Sequence, residues 1–450
     1  MPINGFLYPG AKVVKVYNVA NSCMFDDGSS DYLSITPSAG DLNTWTWSGW
    51  IKRGQLGSAS GFFGARNGSL PEVYHFSSSD TLQVYNYNGS TFPFNLQTNR
   101  VFRDTSAWYH IVISVDTTQA TSTDRIKIYV NGEQETSLQT TTYPSQNFNT
   151  FFNSAVVNYI GVSSTADANY FDGYMAEVVF IDGTALDPTS FGEFDNDSPT
   201  IWKPKDVSGL TFGNNGFYLD FENSGSLGAD VSGNSNNFTA NNITATNQST
   251  DTCTNNFATL NPLFGAGAFT FSNGNLTADD GSNPDTDTIS TIGVSQGKWY
   301  LEFKIIDQGI RGNLGFTDGA DRGLAEGNIR SSPAEYGYYS PAFSSSSETS
   351  GTVNSNLGTA TDNDIICMAF DADNGQLFMS KNGNIDTSST AAITGITTGN
   401  IFHFFFNETA GGGAKSGYSI NFGSPAYSIS SGNADANGHG NFEYSVPSGY

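Results

Sequence analysis

Ile126, Ile128 and Val130 alternate with Arg125, Lys127 and Tyr129, the period-two pattern of a strand with one buried face. The run stops at Asn131-Gly132, a pair that adopts the positive φ angles of a tight hairpin turn at little cost. Similar runs rich in β-branched and aromatic residues recur from Phe25 to about Phe194, among them Trp45 to Ile51 and Trp108 to Val115. Asn88-Gly89 and Asp182-Gly183 punctuate in the same way. No 3.6-residue periodicity competes, so the pattern predicts an antiparallel β-sandwich.

From about Asp195 to Pro262 the apolar runs thin out and Asn accumulates. The short Phe217 to Phe221 run is followed by the polar stretch Asp230 to Asn237. Too few apolar residues remain there to hold a core, so 196–262 reads as a connector with short strands. Strand signals return from Leu263. Gly297 to Ile305 and Ile401 to Phe406 are its strongest runs, together with a hairpin in which Ile365 to Phe370 turns through Asp371-Ala372-Asp373-Asn374-Gly375 into Gln376 to Ser380. The boundaries are therefore an N-terminal arm over 1–24, a first sandwich over 25–195, the connector over 196–262 and a second sandwich over 263–450.

Composition narrows the function classes. Of 450 residues, 43 are acidic and 18 basic, a formal net charge of −25. Binding to a phosphate backbone needs Lys and Arg that this chain mostly lacks, so nucleic acid is not an expected partner. The 34 phenylalanines and 21 tyrosines supply far more buriable surface than a disordered polyanion carries. Cys23, Cys253 and Cys367 are scattered and odd in number, which points to neither a disulfide framework nor a zinc site. No 18-residue apolar run is present and the opening residues lack the basic and apolar regions of a secretory signal, so neither membrane insertion nor export is expected.

Several segments resemble known families. Phe25-Asp26-Asp27-Gly28 with Asp31-Tyr32, Thr46 to Lys52, Trp108 to Val112, Ile128 to Gly132 and Phe171 to Val178 resemble, in order, the strand motifs of laminin-G-type, concanavalin A-like jelly rolls. Gly297 to Phe303, Leu314 to Gly319 and the Ala369 to Gly383 hairpin resemble a SPRY domain. The implied fold class is all-β, two concanavalin A-like antiparallel sandwiches joined by an Asn/Gly-rich connector. Asp230 to Asn234 is similar to a turn with which laminin-G-like domains begin. The whole arrangement resembles fibre or appendage proteins of marine tailed bacteriophages. That resemblance implies a virion protein, assembled in the host cytoplasm and displayed on the particle as a tail fibre, head fibre or capsid decoration. Its implied partners are other virion proteins, host cell-surface polysaccharide and further copies of itself, as in a trimer.

Retaining glycoside hydrolases of this fold carry an E-x-D-x-x-E strand that sets two carboxylates about 5 Å apart. Glu193-Phe194-Asp195 lacks the third carboxylate, and Glu302 is followed by Phe303-Lys304-Ile305. His75, His110, His403 and His439 form no catalytic order. A non-enzymatic role is therefore expected; a polysaccharide-degrading enzyme and a purely structural decoration protein are the alternatives. No cofactor is expected: calcium, which the family resemblance raises, would draw on hard oxygen ligands from Asp26, Asp27 and Asp31 or from Asp279, Asp280, Asp285 and Asp287, and solvated acidic loops are the favoured explanation of both clusters. Sugar recognition needs exposed aromatic faces beside hydrogen-bonding groups. Glu335, Tyr336, Tyr338 and Tyr339 in an irregular Ser-rich region, and Tyr85 and Tyr87 in the first sandwich, are the candidates, with half-buried packing as the competing role. The tryptophans read as core.

Overall fold

The computed structural model describes residues 17–164, 166, 168–264, 269–279, 286–307, 312–318, 335–339, 352–353, 360–408 and 417–450. These residues form antiparallel sheets and contain no α-helix. The fold class expected from the strand periodicity is the one observed.

In the N-terminal unit, one sheet runs through Glu133–Gln134, Ile126–Val130, Trp108–Asp116, Thr44–Arg53, Gly173–Asp182, Ser22–Phe25 and Gln248–Ser249, with Phe217–Leu219 also paired to Gly173–Asp182. The facing sheet runs through Leu138–Thr142, Phe94–Val101, Thr81–Asn86, Leu70–Phe76, Ser60–Asn67, Val157–Ile160, Tyr32–Ile35 and Thr239–Asn241. Between them lies an aromatic core in which Phe63 and Phe152 stack at 4.1 Å and Trp45 meets Phe152 edge-on at 5.5 Å. The predicted Ile126–Val130 strand alternates buried and half-buried residues as its period-two pattern requires. Asn131 and Gly132 take φ of 50° and 84°, both in the left-handed region a tight hairpin needs. A side chain at position 132 would also strike the Trp202 ring, so glycine is required twice over.

The residues read as a connector do more than connect. Phe217–Leu219 and Gln248–Ser249 extend the first sheet, and Thr239–Asn241 extends the second. Trp202, Val207, Phe212 and Tyr218 then cover the first sheet's outer face. This explains why Thr44–Arg53 is buried along nearly its whole length instead of alternating. The segment looks core-poor because it caps a face whose apolar residues lie elsewhere in the chain. Ser22–Phe25 likewise begins before the boundary expected at 25.

In the C-terminal unit, one sheet is built from Thr270–Ser272, Thr277–Asp279, Gly417–Asn421, Lys298–Asp307, Ile365–Asp371, Gln376–Lys381, Ile393–Thr394 and Thr352–Val353. The other contains Thr286–Ile289, His403–Glu408, Gly312–Thr317 and Glu335–Tyr339. They enclose a separate core that includes Phe303, Phe316, Phe370 and Phe404. The expected hairpin is present, with Ile366 opposite Lys381 and Asp371 opposite Gln376. Where the units meet, the buried Lys52 ammonium donates to Asp251 Oδ2 (2.7 Å), Asn256 Oδ1 (2.8 Å) and the Phe257 carbonyl (2.8 Å). All three of its protons are used, which is what makes burying the charge tolerable. Tyr174 Oη donates to the Gly274 carbonyl at 3.0 Å across the same junction.

Candidate functional site

Leu82 and Val84 point into the core, so the alternation of the Thr81–Asn86 strand turns Gln83 and Tyr85 to the outer face. Tyr85 pairs across the sheet with Val73 on one side and Asn95 on the other. The Asn88-Gly89 turn is closed by Asn88 Oδ1, which accepts from the backbone N–H of Ser90 (3.1 Å) and Thr91 (2.9 Å). It folds Phe92 back over both tyrosines: ring centroids lie 5.6 Å from Tyr85 and 5.1 Å from Tyr87. Phe92 remains 45% exposed. Beside it, His75 Nε2 and Gln83 Oε1 are 2.9 Å apart, and Gln83 Nε2 donates to Asn95 Oδ1 at 2.9 Å. Burial pushes the His75 imidazole below its usual range. The neutral ring then donates from Nε2 to the Gln83 carbonyl oxygen, which fixes the orientation of both amides. Tyr85 and Tyr87 are thus brought into one aromatic patch bordered by oriented amides. Phe92 was not among the residues expected from the sequence, although an aromatic just past an Asn-Gly turn between strands was a usable signal.

A second cluster lies where the Ser22–Phe25 strand ends. Asp26, Asp27 and Asp172 place one carboxylate oxygen each within 4.8 Å of the others. Asp26 Oδ1 accepts from Gly28 N at 3.0 Å, and Asp27 Oδ2 accepts from Gln55 Nε2 at 2.6 Å. Asp172 is buried and its Oδ1 has no hydrogen-bond partner. Burial first, then the Asp27 and Asp26 charges, push its carboxyl well above the usual carboxylate range. A proton or a divalent cation relieves that repulsion, and an all-oxygen donor set with an orphaned buried carboxylate oxygen fits calcium chemistry. Asp31, expected as the third ligand, is not part of this oxygen cluster. Its Oδ2 accepts from Asp26 N (3.1 Å) and Asn247 Nδ2 (2.8 Å), and burial raises its pKa to about 6. Asp172 follows Phe171 in the closing strand motif, 146 positions from Asp26 in sequence, and only folding brings it here.

Glu335–Tyr339 is a strand rather than an irregular segment. It pairs with Gly312–Thr317, with Tyr336 opposite Phe316, Tyr338 opposite Leu314 and Tyr339 opposite Asn313. The side chains of Glu335, Tyr336, Tyr338 and Tyr339 lie outside the described residues. So do Asp280 and Asp285 and the side chain of Asp287. Glu302 is fully buried and accepts from the backbone N–H of Glu443 (2.9 Å) and Tyr444 (2.8 Å) and from Tyr300 Oη (3.0 Å). It is an anchor for the chain near position 443. Glu193 and Asp195 both reach Lys203. His110 is buried and held through both ring nitrogens. Trp299, read as core, is 45% exposed.

Residues 27–189 match the family model described as the concanavalin A-like lectin/glucanases superfamily, Laminin_G_3. This part of the chain has a concanavalin A-like fold. Among solved structures, the SPRY domain of human HERC1 is similar at 16% identity and a TM-score of 0.30, over 36% of this chain and 96% of that one. The heptameric SAP-like pentraxin of Limulus polyphemus aligns at 13% identity and 0.29, over 38% and 80%. Domain 4 of the arabinanase AbnA from Geobacillus stearothermophilus, solved with arabinotriose, aligns at 23% and 0.26, over 33% and 64%. A search of curated proteins returned no match. No helix among the described residues is long and apolar enough to cross a membrane.

Proposed function

We propose that this protein is a non-enzymatic glycan-binding protein, and that Tyr85, Tyr87 and Phe92 form its sugar-stacking surface. The observation that carries the reading is an aromatic cluster, half-buried at Tyr85 and Tyr87 and exposed at Phe92, beside the His75–Gln83–Asn95 hydrogen-bond chain. Flat apolar faces next to fixed donors and acceptors are what a polyhydroxylated ring requires. The match of residues 27–189 to a lectin and glucanase superfamily agrees with it. A non-enzymatic role is supported by how the carboxylates that an enzyme would use are engaged: Glu302 holds backbone N–H groups, and Glu193 and Asp195 pair with Lys203. Display on a phage particle, with other virion proteins and further copies of this chain as partners, is part of the same proposal and rests on the order of the sequence motifs. Calcium belongs to it as well, held by Asp26, Asp27 and Asp172.

The test is incubation with host surface polysaccharide. Saturable binding without release of reducing ends is expected, with Tyr85→Ala weakening it. Reducing-end release would establish the enzyme reading. Absence of both would leave a purely structural decoration role.

A further inference from the structure

The Lys298–Asp307 strand places Trp299 at its exposed beginning, and that position sets it apart from the other tryptophans. Trp45, Trp47, Trp50, Trp108 and Trp202 are at most 9% exposed, whereas Trp299 is 45% exposed. Its indole does not swing freely, because Nε1 donates to the Gln296 carbonyl at 2.8 Å. An aromatic plane held toward solvent has already met the entropic cost of ordering that a loose side chain would incur on binding.

The plane lines a cleft of about 390 Å³ that also includes Phe257, Asp435, Asn437, His439 and Phe442. Three features of the chain build this cleft. Glu302, on the strand that carries Trp299, binds the backbone N–H of Glu443 and Tyr444, and so fastens the later chain across the sheet. Asp435 Oδ1 accepts from Asn437 N and His439 N, both at 2.8 Å, while Asp435 N donates to the His439 carbonyl at 2.8 Å. The loop opposite the indole is therefore closed on itself and keeps its shape. Phe442 packs edge-on against Tyr300 at 5.0 Å, which forms a firm apolar support.

The contents of the cleft select a ligand class. A flat aromatic face suits the C–H face of a ring, and Asn437 and His439 add an amide and an imidazole that both donate and accept. Lys298, also in the lining, is paired with Asp371 at 3.5 Å, and the net charge of −25 disfavours an anionic ligand through long-range repulsion. We infer that the Trp299 cleft is a second carbohydrate site, which takes an uncharged pyranose unit stacked on the indole and hydrogen-bonded by Asn437 and His439. It is distinct from the Tyr85–Phe92 patch and does not depend on that patch binding anything.

The exposure contrast supplies a site-specific readout. Acrylamide quenches exposed indoles preferentially, so quenching of the full-length protein reports mainly on Trp299. Neutral gluco-, manno- and galacto-oligosaccharides, titrated singly, serve as probes. The expected result is saturable protection from quenching by at least one of them. In an isothermal titration of that sugar, Asn437→Ala and Trp299→Ala each weaken binding, the latter roughly tenfold or more as stacking is lost, while Tyr85→Ala leaves Trp299 protection unchanged. Position 299 is exposed, so loss of fold does not confound the variant, and a thermal melt matching wild type verifies this. No protection by any probe overturns the inference, as does undiminished binding by Trp299→Ala. Binding lost only in Tyr85→Ala overturns it while sustaining the patch, and binding lost only in Trp299→Ala does the reverse.

Discussion

The indole N–H of Trp202 donates to Nδ1 of His110 at 2.9 Å, joining two residues 92 positions apart. Because Nδ1 accepts, the proton of the neutral ring sits on Nε2 and is directed at Ser48 Oγ, also 2.9 Å away. Trp50 stacks on the imidazole at 4.8 Å, while the Trp202 ring lies beside it at 5.9 Å and nearly parallel. Both nitrogens are engaged and the ring is buried, so a second ring proton would have no acceptor.

Burial holds the His110 pKa down at about 3. In the unfolded chain it lies near 6.5. Above 6.5 both states are neutral and the group's contribution is complete. As pH falls from 6.5 toward 3 only the unfolded state gains a proton, so stability declines by roughly 1.4 kcal/mol per pH unit from this residue. Urea midpoints between pH 7 and pH 4 check this. The His110→Gln variant is expected to start lower and decline less steeply; parallel curves would remove His110 as the cause.

Glu72 works in the opposite direction. It is buried, accepts from Asn86 Nδ2 (2.9 Å) and Phe151 N (2.7 Å) through one oxygen, and burial raises its pKa to about 8. A carboxyl raised in the folded state contributes fully below its unfolded pKa near 4.5 and loses that contribution as pH climbs through 8. Wild type is expected to lose on the order of 1.4 kcal/mol per pH unit from this group across that window, and Glu72→Gln to lose less. Thermal melts at pH 5 and pH 8 make the comparison.

The Asp26, Asp27 and Asp172 cluster predicts a calcium response. Adding calcium to chelator-treated protein raises Tm, with about 2.7 kcal/mol of stabilisation at a hundredfold excess over Kd. Asp172→Asn removes the response and, by relieving repulsion, leaves the apo variant at least as stable as the apo wild type. A wild-type Tm indifferent to calcium would mean that a shared proton alone neutralises the cluster.

Glu302→Ala leaves the Glu443 and Tyr444 N–H groups without their acceptor. The expected cost is about 1–3 kcal/mol per lost partner, with faster proteolysis near residue 443. Glu302→Gln keeps an acceptor oxygen and is expected to fall between the two. Equal proteolysis rates in all three proteins would show that the anchor lies elsewhere.

Much of the local structure was legible along the chain. The alternation of Ile126, Ile128 and Val130 and the Asn131-Gly132 corner depend on neighbours in sequence, and both appear as expected. The Asp371 to Gln376 corner was legible for the same reason. Tyr85 and Tyr87 could be picked out as strand tyrosines, but their relation to Phe92 required the turn to fold back.

What the sequence determined by itself was therefore period and punctuation: which residues form strands, where they turn, and that an acidic, cation-poor surface results. Tertiary structure decided which distant strands pair and what covers each face. It sent Trp202 onto His110, carried Phe217–Leu219 into the first sheet, replaced Asp31 by Asp172 beside Asp26, and left Trp299 uncovered. The physical reason is that side-chain alternation is a local property of one strand. Burial and charge neutralisation depend on groups that meet only after long loops have closed.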